Sequence, residues 1–187
     1  MTLERHSKLP SAGDVLAYWR GLGPQRWFVK DAAVDAEIRD KFHDVHAAAI
    51  KGRLGHWEDD ASGALAHIIV LDQFSRNMFR GTPRTFAADP VARRLAEQVI
   101  HLGLDLAMTH AERYFVYLPF EHSEDREHQA LAVRLIEPLG DGTWTRYARA
   151  HQLVIDRFGR FPHRNAILGR TSSPDELQFL KESLRPF

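Results

Sequence analysis

The apolar positions of this chain recur every three to four residues, and nowhere more densely than between Ala61 and Met78. Leu65, Ile68, Ile69, Asp72, Arg76 and Phe79 fall on one helical stripe, and Ala64, His67, Leu71, Phe74 and Met78 on another. A helix with two largely apolar faces is predicted to lie at the centre of the molecule. Toward the N-terminus, Ser11 with Asp14 opens a helix over 13–20, which Gly21 to Pro24 closes. Trp27 and Phe28 then fall in a loop. Asp31 caps a long helix over 32–51 that carries Val34, Ile38, Phe42, Val45 and Ala49 on one face, and Asp60 caps the central helix over 61–78.

The same signals continue to the C-terminus. Asp89 and Pro90 supply an N-cap and a first-turn proline for 90–102. Thr109 with Glu112 opens 110–118, which Pro119 is expected to stop, and Ser123 opens 124–137. Trp144, Tyr147, Ala148, His151, Val154, Ile155 and Phe158 make the apolar stripe of 143–158, and Ser173 with Glu176 caps 174–180. About eight helices in short-looped antiparallel pairs, without a convincing strand, predict an all-α fold. It forms a single domain over 1–187, in which 1–12 is a loose arm.

Composition narrows the function classes. The 187 residues, 44% hydrophobic and 27% charged, suit one globular domain. No cysteine is present, which excludes disulfides, thiolate zinc sites and cysteine nucleophiles. No apolar run is long enough to span a bilayer and the first residues lack an export signal, so the expected location is cytoplasmic, with no membrane partner. Lys plus Arg balances Asp plus Glu at 25 each, so no general attraction to nucleic acid is expected. The oligomeric state is left open.

The balance hides a pattern. Arg76, Arg80 and Arg84 are the only charges from Gln73 to Ala88, and Arg157, Arg160, Arg164 and Arg170 the only ones from Arg157 to Pro174. Glu121, Glu124, Asp125 and Glu127 form the opposing acidic segment. Asp72 and Arg76, four apart on a face that begins as core, are expected to pair, as are Gln73 and Asn77. His151 interrupts an apolar stripe, either as a core histidine bonded to a carbonyl or carboxylate or as a donor or base in a pocket. The loop Phe158 to Arg170 holds His163, Arg164 and Asn165 between aromatic anchors. Glu121, Glu124 and His128 have a spacing that could ligate a metal, but the turn at Pro119 and Ser123 breaks it, so neither metal nor cofactor is expected.

Three motifs carry a resemblance: Leu71-Asp72-Gln73-Phe74-Ser75-Arg76-Asn77 with Arg80-Gly81-Thr82-Pro83, then Tyr117-Leu118-Pro119-Phe120-Glu121-His122-Ser123-Glu124, then Phe158 to Arg170. In these the chain resembles the uncharacterised bacterial proteins grouped as domain of unknown function 924. The resemblance implies helix pairs stacked into a tetratricopeptide-repeat-like right-handed superhelix, and it implies no activity.

Three functions fit the residues. The first is a binding domain whose polar site takes a small anionic ligand or an acidic peptide through Asp72, Gln73, Arg76, Asn77, Arg80, Glu121, Glu124, His151, His163, Arg164, Asn165 and Arg170. The second is a hydrolase of an anionic substrate, with Glu121, His122 or His163 as acid–base groups. The third is an interaction module whose polar motifs only lock the fold. The first expects the motifs around Asp72 and His163 to converge, with Glu121 or Glu124 between arginines that outnumber the available acids.

Overall fold

The computed structural model describes residues 9–182, and all of its regular structure is helical. Helix α1, Ala12–Leu22, opens on a reciprocal box in which the Asp14 amide donates to Ser11 Oγ at 3.2 Å and the Ser11 amide donates to Asp14 Oδ2 at 2.8 Å. Ala12 therefore belongs to a helix rather than to an arm, with Ser11 as its cap; residues 1–8 of the expected arm lie outside the described residues. Trp27 ends a short helix, α2, Pro24–Trp27, and its indole donates to the Trp19 carbonyl at 2.8 Å, so this segment is more ordered than the loop expected there. Helix α3, Ala32–Ile50, starts on Asp31, whose carboxylate accepts from the Ala33 and Val34 amides.

A 3-10 turn, Gly55–Asp59, leads to the central helix, which has three parts: α4, Ala61–Ile69; a π-helical turn, Val70–Phe74; and α5, Ser75–Met78. Every residue from Gly63 to Ser75 is buried, as the two apolar stripes predict. This rod packs against α1, α3 and the two helices that follow, α6 (Asp89–His101) and α7 (His110–Glu121). Phe74 meets Trp19, Phe42 and Tyr18 in an aromatic cluster, while Leu65, Ile68, Ile69 and Leu71 fill the centre.

The approach of the 3-10 turn to the rod depends on one glycine. A Cβ on Gly63 would stand 2.1 Å from the Trp57 carbonyl oxygen, closer than any contact allows. Gly63→Ala is expected to destabilise by about 1–3 kcal/mol through overpacking, although alanine is the better helix former by roughly 1 kcal/mol. The urea midpoint measures it; an unchanged or raised midpoint would show that the turn moves freely.

The remaining helices are α8 (Arg126–Ile136), α9 (Gly142–Phe158) and α10 (Pro174–Glu182). Helices α7, α8 and α9 pack in succession. Two boundaries correct the sequence. Pro119 lies inside α7, which runs on to Glu121, and α8 is capped by Asp125, not Ser123, through bonds from the Glu127 and His128 amides. A small second core of Val154, Ile155 and Phe161, with Phe158 and Phe179 against it, anchors the loop after α9. No helix among the described residues is long and apolar enough to cross a membrane.

Candidate functional site

The π turn places Asp72 where the central helix, α7 and the loop after α9 meet. A π turn accepts one extra residue into the helix, and such turns are frequent at functional sites. Asp72 is fully buried and its carboxylate accepts two side-chain hydrogen bonds, from Gln73 Nε2 at 2.6 Å on Oδ2 and from His122 Nδ1 at 2.8 Å on Oδ1; Arg76 Nη1 lies 3.0 Å from Oδ1 as an ion pair and donates to the Asp72 backbone carbonyl at 2.9 Å. Burial alone would raise its pKa. The Arg76 charge and the bonds from His122 and Gln73 outweigh burial and hold the carboxyl well below the usual carboxylate range. Asp72 is therefore an acceptor only, which requires His122 Nδ1 to carry a proton, so that in the neutral ring Nε2 keeps its lone pair.

Arg76 does more than pair with Asp72. Its fork also grips Asp89, at 3.0 and 3.1 Å, from the first turn of α6. Asp89 had the look of an N-cap, but Ala88 holds that position and the Asp89 carboxylate turns inward instead. Its second arginine is Arg164, whose Nη1 lies 3.7 Å from Asp89 Oδ2, beyond hydrogen-bond reach. Arg164 Nη2 donates to the His122 carbonyl at 2.9 Å, and the guanidinium packs against Phe86 and Phe161 at 4.4 and 4.5 Å. Its Nε is buried without an acceptor. Burial, with Arg76 close by, pulls the Arg164 pKa down to about 10.

Behind this layer lie Glu121 and His151. Their Oε1 and Nδ1 atoms are 3.1 Å apart, yet the pair is neutral at pH 7: burial, together with the Asp72 charge, pushes Glu121 up to about 8, and burial drives His151 down to about 3. His151 Nδ1 also lies 2.9 Å from the Tyr147 carbonyl, and Glu121 Oε2 has no partner. His151 thus has the carbonyl and carboxyl neighbours expected of a core histidine. The rings of His122 and His151 are 6.3 Å apart, and Phe161 separates His151 from His163. Burial, and then the Arg164 charge, brings His163 to about 4.

The motifs around Asp72 and Arg164 therefore meet, but Asp89, rather than Glu121 or Glu124, lies between their arginines. The expected surplus of arginines also shrinks, because acids distant in sequence reach them. Arg80 is held in a fork by Asp35 at 2.8 and 2.9 Å, Arg170 by Glu124 at 2.7 and 2.9 Å, and Arg160 by Glu176 at 2.6 and 2.8 Å. Gln73 and Asn77 do not pair. Gln73 bonds Asp72, and Asn77 Nδ2 donates to Asp35 at 2.8 Å. Asn165 Nδ2 donates to Ser172 Oγ at 3.0 Å, within its own loop. Glu121, Glu124 and His128 face His151, Arg170 and Ser123 respectively. Among the described residues no three acid or imidazole groups gather at metal-ligating distance.

Asp89 and Phe86 were missed as site residues. The only sequence signal for Asp89 was its place in an acid-poor stretch between Arg84 and Arg93, and Phe86 gave none.

A protein of unknown function from Agrobacterium tumefaciens, ATU0120, is 45% identical, and its structure superposes with a TM-score of 0.89 over 92% of this chain and 97% of its own. Among curated proteins nothing matches. The family described as bacterial protein of unknown function, DUF924, matches residues 15–183, which span the central helix, the α7 motif and the arginine loop, and the chain belongs to that family.

Proposed function

We propose that the chain is a cytoplasmic binding domain, a tetratricopeptide-like right-handed superhelix of antiparallel pairs, that recognises a small anionic ligand at Arg76 and Arg164. One observation carries this: Arg76, already paired with Asp72, also takes the Asp89 carboxylate in a fork, so Arg164 is left 3.7 Å from Asp89 and its Nη1 has no hydrogen-bond acceptor although the guanidinium is fixed between Phe86 and Phe161. A guanidinium so placed gains from an added oxyanion, and because its fork is already oriented it loses little entropy on binding one. An acidic peptide could supply the anion through one side chain. The edges of Arg76 and His122, 18% and 15% exposed, are where such a group would enter.

A second reading, the structural lock, has its own support. Arg80, Arg160 and Arg170 are each held in a fork by one internal carboxylate, although Arg170 Nε is buried without an acceptor, so most of the charged network is self-sufficient. Calorimetric titration with phosphate, citrate and an acidic peptide separates the two. Wild type should bind at least one of them, and Arg164→Met should weaken binding at least tenfold while Arg80→Met leaves it within about twofold. Arg164→Lys guards against misfolding: it keeps the charge but lacks the fork, so it should bind between the two. If no anion binds wild type, the lock is the function of these motifs.

A further inference from the structure

His122 brings an acceptor to the exposed edge of the site, beside the two arginines. Its Nδ1–H is committed to Asp72, a carboxylate that can only accept, and its Nε2 makes no hydrogen bond within the protein, yet is not sealed from solvent. Arg164 Nη2 is bonded to the His122 carbonyl, so the arginine fork and the imidazole edge belong to one constellation. The groups around the ring are Asp72 and Arg76 from the central helix, Asp89 from α6, Glu121 from its own helix, His151 from α9, and His163 and Arg164 from the loop.

We propose that His122 makes the site selective for an oxyanion that itself carries a proton, such as hydrogen phosphate, over an aprotic anion of the same shape and charge, such as sulfate. This rests on the anion-binding reading above and adds what that reading leaves open, the class of anion. Two guanidinium groups cannot distinguish the two tetrahedral dianions, since both offer only acceptors to a donor. A neutral imidazole with Nε2 unprotonated can. Hydrogen phosphate donates its O–H to Nε2, whereas sulfate opposes a lone pair to a lone pair and leaves a desolvated acceptor unpaired. Sites built to bond one hydroxyl reject the analogue that lacks it by large factors. Burial and the nearby Arg76 charge lower the affinity of His122 for a proton of its own, while Asp72 acts in the opposite sense; the net shift is downward, so the ring is neutral at the pH of the test.

The test is calorimetry with sodium phosphate and sodium sulfate at pH 7.5, in two buffers of different ionisation enthalpy, on the full chain. Phosphate should bind at least tenfold more tightly than sulfate, with no net uptake of protons: the two buffers should differ only by the fraction of a proton released as dihydrogen phosphate converts to the bound hydrogen phosphate. His122→Asn keeps an amide N–H where Nδ1 donates to Asp72 and deletes the Nε2 acceptor, so it should bring the two affinities within about twofold. Equal affinities in wild type overturn the proposal and leave anion binding standing. So does sulfate binding with uptake of one proton, which would mean that His122 charges and becomes a donor, and so does selectivity that survives His122→Asn. Failure of both anions to bind overturns this proposal and the anion-binding reading together.

Discussion

Acidification from pH 7 to pH 4 is expected to unfold the protein, because its core holds several histidines as neutral rings. Burial drives His46 and His67 to about 4 and His151 to about 3, from an ordinary 6.5. Between those values the unfolded chain binds protons that the folded chain refuses, so stability rises with pH there. The contribution is complete above 6.5 and is lost as pH falls through the folded values. At about 1.4 kcal/mol per unit, each ring accounts for roughly 3 to 5 kcal/mol, and together they match the whole stability of an ordinary domain. His163, less deeply buried, adds to the same limb.

Glu121 works in the other direction. Its pKa is raised to about 8, so its contribution is complete below the unfolded value of 4.5 and is lost as pH rises through 8. Urea-unfolding free energies measured from pH 4 to 9 should therefore form a dome. Glu121→Gln should flatten its alkaline side. His67→Leu should reduce the acid side, since both ring nitrogens of His67 lack hydrogen bonds; Glu58 Oε1 lies 3.1 Å from Nδ1 but off the line of a bond. A profile level between pH 4 and 7 would reject the account.

Asp72→Ala is expected to lower stability by about 3–5 kcal/mol, the usual result of removing one partner from a buried charge pair. The loss has three sources: His122 Nδ1–H and Gln73 Nε2 are left without their acceptor, and Arg76 loses one of its two carboxylates. Arg76 keeps Asp89, which places the effect below that of a fully orphaned cation. Because the folded pKa of Asp72 is depressed, its contribution is complete above the ordinary carboxylate range and disappears in acid. Wild type and variant should therefore differ most at neutral pH and converge as acid removes the charge. A difference under about 1 kcal/mol at pH 7 would show that Asp89 alone suffices.

The sequence was most informative where physics is local. The boxes at Ser11 and Thr109, the caps at Asp31 and Asp60, and the stripes of the central helix all depend on neighbours within four residues, and all are present. Pro119 shows the limit of that reasoning, since a proline near the end of a helix can be carried when the chain beyond it is held by packing, as Phe120 and Glu121 are. Long-range partners were not legible. Asp35 lies 45 residues from Arg80, and Glu124 lies 46 from Arg170, so no periodicity links them. Acids near each arginine along the chain therefore understate the partners it has in space, and the carboxylate of Asp89 binds Arg76 although its place before Pro90 suggests an N-cap.

The π turn also fixes what length means in this protein. An extra residue in one turn sets everything after it back by roughly 100° relative to an uninterrupted α-helix. Asn77 is thereby directed to Asp35 and Arg76 to Asp89, on different helices. Removing one residue from Val70–Phe74 would leave every side chain of α5 chemically intact while turning all of them to new neighbours. In this segment the number of residues, as much as their kind, is the information that assembles the site.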